Sequence, residues 1–171
     1  MSAKPIWLGG PVDGVPALLQ PVAHALIEAR DDVQALIPTL SMDELWARPG
    51  DAASAGFHAL HSLGSLDRLF TYARGESLTE TQLATLASEK TMDRAADGDQ
   101  IVAAYSAGVD RAVERLRRTP EATLLEPREV GRGKLPSNVL GILVHAGDHT
   151  YRHVGQMITT AKIARAVLRP A

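Results

Sequence analysis

The apolar residues of this chain recur at steps of three and four, and nowhere do β-branched residues alternate at steps of two. From Pro21 to Ile37 the apolar set is Val22, Leu26, Ala29, Val33 and Leu36, one face of a helix that Pro38 ends. From Asp99 to Arg118 a second stripe runs through Val102, Tyr105, Val109, Ala112 and Leu116. Stop and start signals place the other elements. Ser41 with Glu44 has capping-box spacing and opens a short helix carrying Trp46, and Ser54 caps a helix that reaches Gly75. Thr79 with Gln82 opens another short helix, and Ser137 caps a last, longest helix running to Val167 before Pro170. The segment "TPEATLLEPREVGRGKLPS" reads as the longest irregular stretch. Four long helices with short accessory ones predict an all-α four-helix bundle over residues 1–171 as a single domain, with crossover connections favoured by the long linkers.

Composition narrows the chemistry. The chain has no cysteine, so disulfides, thiolate metal sites and a cysteine nucleophile are excluded. Its formal charge is −2, without the basic footprint of a nucleic-acid binder; "RLRR" at 115–118 reads as a basic helix C-terminus. No window approaches the roughly 18 uninterrupted apolar residues of a membrane span. In "MSAKPIWLGGPVDG", Pro and Gly interrupt the chain before any apolar run reaches leader length. The expectation is a cytoplasmic protein that binds neither nucleic acid nor membrane.

Half of the six histidines stand in "VHAGDHTYRHVGQ", residues 144–156, as His145, His149 and His153. Residues four apart on a helix differ by about 40° in azimuth and about 6 Å along the axis, so two such imidazoles can converge on one ion. His145 and His153 are about 12 Å apart along the axis, too far for all three to share it. The helix therefore supplies a pair, either His145 with His149 or His149 with His153. A third ligand must come from another helix, and "FHALHSLGSLDR" offers His58 and His61, of which His61 could complete a three-histidine face. Such a site keeps positions open for water or substrate and suits zinc or nickel first, with iron or manganese next. His24 and His58 are read as hydrogen-bonded packing residues. Asp67, Asp148 and Glu28 are candidate orienting carboxylates, each weighed against a solvated helix charge. Asp67 with Arg68 is read as a local ion pair or a cap to the pocket, Tyr151 and Arg152 as packing or dimer residues, and Gln156 as either facing the cavity or structural.

Two segments, 57–89 with "FHALHSLGSLDR" and 131–162 with "HTYRHVGQ", resemble the DinB/YfiT-like superfamily of metal-dependent enzymes. The resemblance implies an up-down-down-up four-helix bundle, a homodimer, and a divalent ion held by His61, His149 and His153. The last two are chosen because they stand directly before Gly155-Gln156, with His145 one turn outside. Characterised relatives include transferases and isomerases that use low-molecular-weight thiols such as bacillithiol or mycothiol. The expected function is a metal-dependent hydrolase, or an S-transferase using a small external thiol on a small-molecule substrate. The rival expectation is a non-enzymatic dimeric helical binding module whose histidines are structural.

Overall fold

An apolar stripe on a helix is stable only against another such stripe, and four of them close a core. The structure, a computed structural model, describes residues 5–169. The long helices are α1 (Gln20–Leu36), α3 (Ala55–Ala73), α5 (Gly98–Arg117) and α6 (Val139–Leu168). Two short helices, α2 (Met42–Trp46) and α4 (Glu80–Ser88), lie in the connections. One contiguous core takes in Leu26 and Val33 of α1, Leu66 of α3, Tyr105 and Leu116 of α5 and Met157 of α6. The predicted stripes are the buried ones, except that Leu36 and Val102 sit at the core's margin.

Cross-helix pairs fix how the helices run. Arg30 bonds Asp110 at 2.9 Å and Gln34 bonds Ser106 at 2.8 Å, so α1 and α5 are antiparallel. Ser62 meets Tyr105 at 3.3 Å while Phe70 lies near Arg115, so α3 and α5 are parallel. His58 meets His153 and His61 meets His149, so α3 and α6 are antiparallel. Val22 lies against Gly147 and Thr39 against Arg165, so α1 and α6 are parallel. In chain order the four run up, down, down, up. A Cβ at Gly147 would stand 3.5 Å from the Cα of Val22, which makes this glycine the close crossing point of α1 and α6.

The caps follow the sequence at Ser41, Ser54 and Thr79, where each side chain accepts a backbone N–H of the first turn. α2 is locked further by Glu44, 1% exposed, whose carboxylate accepts from Ser41 N at 2.8 Å and pairs with Arg165 and Arg169 of α6's end. Hydrogen bonding to Ser41 leads in holding this carboxyl below the usual range; burial opposes it and the two arginines assist.

Two expectations need correction. The supposed irregular stretch holds an antiparallel hairpin, β1 (Pro127–Val130) with β2 (Leu135–Asn138), turned at residues 131–134 with Gly131 at φ +71°. Neither four-residue strand buries a side chain, and each carries a proline, so no apolar alternation marks them. Ser137 lies in β2, and the cap of α6 is Asn138, whose Oδ1 accepts from Gly141 N at 2.7 Å. Pro170 lies outside the described residues. Among those residues no helix is long and apolar enough to cross a membrane.

The cap assignment is open to a direct test. Asn138→Ala removes the acceptor and lowers unfolding stability by about 1 kcal/mol, whereas Ser137→Ala costs less than half of that. Chemical denaturation of the two variants measures the difference, and the opposite order contradicts the assignment.

Candidate metal centre

His58 and His61 stand one turn apart on α3, and His149 and His153 one turn apart on α6. Because the two helices run antiparallel, the pairs meet face to face. His149 Nε2 is 3.3 Å from His61 Nε2, and the ring centroids of His61 and His153 are 4.6 Å apart. One nitrogen from each of His61, His149 and His153 lies within 4.8 Å of the other two, and all three side chains are half-buried. Phe57 stacks on His61 with a 6° angle between planes, which restricts the ring from behind. His145 is exposed, its ring 5.5 Å from that of His149 and one turn outside the cluster, so it is no core residue.

The nitrogens facing away from the cluster decide which tautomers point inward. His61 Nδ1 is 2.8 Å from Glu89 Oε2, and a carboxylate there makes Nδ1 the protonated nitrogen. That leaves the His61 Nε2 lone pair aimed at His149. Glu89 is 8% exposed and also accepts from Arg68 Nη1 at 2.7 Å. Burial alone would raise its carboxyl; the bonds from His61 and Arg68 outweigh burial and hold it below the usual range. His153 Nδ1 is 3.0 Å from His58 Nδ1, so one of these nitrogens must donate to the other. Donation by His153 frees its Nε2 and makes buried His58 the acceptor that sets the tautomer.

Glu89 is the orienting residue that the sequence does not reveal. The proposed carboxylates point elsewhere: Asp67 accepts from Gln82, Asp148 pairs with Arg152, and Glu28 lies beside Tyr151. Arg68 is a buried partner of Glu89, not of Asp67. His58 is buried and hydrogen-bonded, with His153 as its partner, and His24 meets the carbonyl of Gly10 at 3.0 Å, as a packing histidine does. Tyr151 and Gln156 are exposed.

The donor set fits a divalent ion. Two nitrogens each about 2.05 Å from an ion at a tetrahedral angle stand about 3.3 Å apart, the separation found between His61 and His149. Imidazoles ligate only when neutral. Burial, then His61, His149 and His58, pushes His153 down to about 4. Burial first also lowers His149, with His61 and His145 adding, and lowers His58, with His61 adding. His153 therefore keeps its lone pair into mildly acidic solution.

A folded-state histidine pKa below the unfolded value, about 6.5, gives a definite sign. The unfolded chain binds more protons between about 6.5 and about 4, so stability is full above that window and is lost as pH falls through it. Thermal melts of metal-free protein should show a falling Tm from pH 7 to pH 4.5, and His153→Gln should shallow that fall. A variant as steeply pH-dependent as the wild type would refute this account.

Comparison with curated proteins finds no match. A family model described as the DinB superfamily matches residues 25–157, a span that contains α3, Glu89 and the histidines of α6. The chain belongs to the DinB superfamily.

Proposed function

We propose that the protein is a metal-dependent enzyme whose His61, His149 and His153 hold one divalent cation, zinc or nickel first, with iron or manganese next. The observation that carries this reading is the convergence of imidazole nitrogens from two helices, with Glu89 fixing the outer nitrogen of His61. Three protein ligands leave positions open for a reactant. A divalent ion there supplies Lewis acidity, which lowers the pKa of a water or thiol that reaches it.

Of the two reactions considered, transfer to a small external thiol is favoured over hydrolysis. Hydrolysis asks for a carboxylate free to take a proton from water. Glu89, the carboxylate in contact with the cluster, has both oxygens engaged by His61 and Arg68. A thiol, with an ordinary pKa near 8.5, needs less help. Two clefts lie beside the partners of these histidines, one of about 560 Å³ lined by His58, Arg152 and Gln156 and one of about 200 Å³ lined by Phe57, Glu89 and Arg48, though none of the three ligands lines either. In the proposed step sulfur attacks an electrophilic carbon, the C–S bond forms, the leaving group departs with its electron pair, and the thiol proton passes to solvent. The thiol is external because the chain has no cysteine. We further propose that the protein acts as a cytoplasmic homodimer.

Elemental analysis of protein purified without a nickel column tests the assignment. Near-stoichiometric metal is expected in the wild type and in His145→Ala, and less than a tenth of it in His61→Ala and His153→Ala. Loss with His145 in place of His153 would move the site one turn, and metal-free but stable, dimeric wild type would favour a binding module with structural histidines. Glu89→Gln, which keeps a polar partner for Arg68, should weaken metal binding about 10–100-fold. A screen of small thiols against electrophiles reads the reaction, and turnover independent of thiol would favour hydrolysis.

A further inference from the structure

A third cleft, sharing no residue with the histidine cluster, opens between the C-terminal ends of α3 and α5 and the start of α6. Along α3 it begins about 13 Å beyond His61, nine residues on at 1.5 Å each. Its volume is about 390 Å³, within the range of small-molecule sites. Phe70, Val139 and Leu143 supply apolar lining, Arg74, Arg115, Arg118 and Arg128 the charge, and no Asp or Glu lines it.

Three of these arginines are already matched. Arg74 donates to the Phe70 carbonyl and pairs with Glu76; Arg128 donates to the Ala73 carbonyl and pairs with Glu126. Arg118 pairs with Glu114. Arg115 is not matched: its Nη1 is buried and has no hydrogen-bond partner, and its guanidinium forms no ion pair among the described residues. Arg115 also lines a small open hollow of about 30 Å³ with Asp67 and Arg111, where Asp67 forms no ion pair with it. Glu114 is shared with Arg117, so the cleft is positive, and Arg115 is its arginine without a carboxylate partner among the described residues, a planar fork beside an apolar wall.

We propose that this cleft binds a small organic monocarboxylate with an apolar body, its carboxylate on Arg115 and its body against Phe70, Val139 and Leu143. A planar carboxylate matches the Nε–Nη2 edge of the fork, which leaves the buried Nη1 aside, in two parallel bonds. A phosphate dianion would seek several free donors inside the cleft. Arg74 and Arg128 have spent theirs on carbonyls and glutamates, and Arg118, which bonds Glu114 through Nε alone, holds its terminal nitrogens out in water, its side chain 78% exposed.

Hexanoate is the probe, titrated calorimetrically into the full-length protein as purified and after chelation of metal, with 1-hexanol as the neutral control. Saturable hexanoate binding is expected, unchanged by chelation and at least about tenfold tighter than hexanol. Arg115→Met should weaken it at least about tenfold, the loss of one charge-assisted contact, and Arg118→Ala by less than about twofold. Should Arg115→Met fail to fold, Thr123→Trp, which fills the cleft from its lining, should abolish binding. The proposal is overturned by no saturable binding, by equal affinity for hexanol, by unchanged affinity in Arg115→Met or Thr123→Trp, or by binding that disappears with the metal.

Discussion

The antiparallel packing of α3 on α6 is the constraint from which the candidate centre follows. α3 carries two histidines about one turn apart and α6 three, and only opposed directions bring His61 to His149 and His58 to His153 in register. The helices can approach because the residues beside the histidines are small. Ala55, Ala59 and Ser62 of α3 and Ala146 and Thr150 of α6 are all buried. A leucine at such a place would widen the gap by the depth of a side chain, and imidazoles that now touch would be separated by solvent. Close packing thus sets ligand spacing without any ligand residue having to be strained.

The same crossing explains the surface helix α4, which buries no side chain of its own. Propensity alone does not hold a nine-residue helix in water. It is held by its capping box, by Gln82 against Asp67 and Thr71, and by the Glu89–Arg68 pair just past its end. Its consequence for the site is the delivery of one carboxylate to His61. Glu44 is instructive beside Glu89, since it too is a buried carboxylate pinned by arginine. Yet Glu44 closes a cap and ties α2 to α6, with no titratable third partner. A buried Glu–Arg pair by itself marks architecture. A pair that also fixes the tautomer of a ring whose second nitrogen is free marks a site.

What the sequence could disclose depended on whether the signal was periodic. The stripes of α1 and α5 and the caps at Ser41, Ser54 and Thr79 repeat at fixed offsets, so they were readable residue by residue. Helical geometry also reduced the three histidines of α6 to a pair and demanded a third from another helix. Glu89 had no such signal. It lies 28 residues from His61, in a turn after a helix without an apolar stripe, and only the folded loop joins them. The hairpin at 127–138 was hidden because its stability resides in backbone pairing, which leaves no pattern in side chains that face water. Asn138 and Ser137 are both good capping residues, and one residue of register, set by that unseen hairpin, decided between them.

A chain selected for stability alone would fill the α3–α6 seam with leucine and valine, as it does elsewhere in the core. Here four imidazoles are half or wholly withdrawn from water, three of them with their charged forms disfavoured by burial. Two nitrogens face each other at 3.3 Å, longer than a good hydrogen bond, and without a metal one of them must carry a proton for the other's lone pair to accept. Such an arrangement weakens the metal-free fold in acid and gives it little in neutral solution. Local rules of packing are broken in proteins mainly where function requires it. A cation accepting those lone pairs removes the conflict at once, because it takes three neutral nitrogens and asks for no proton between them.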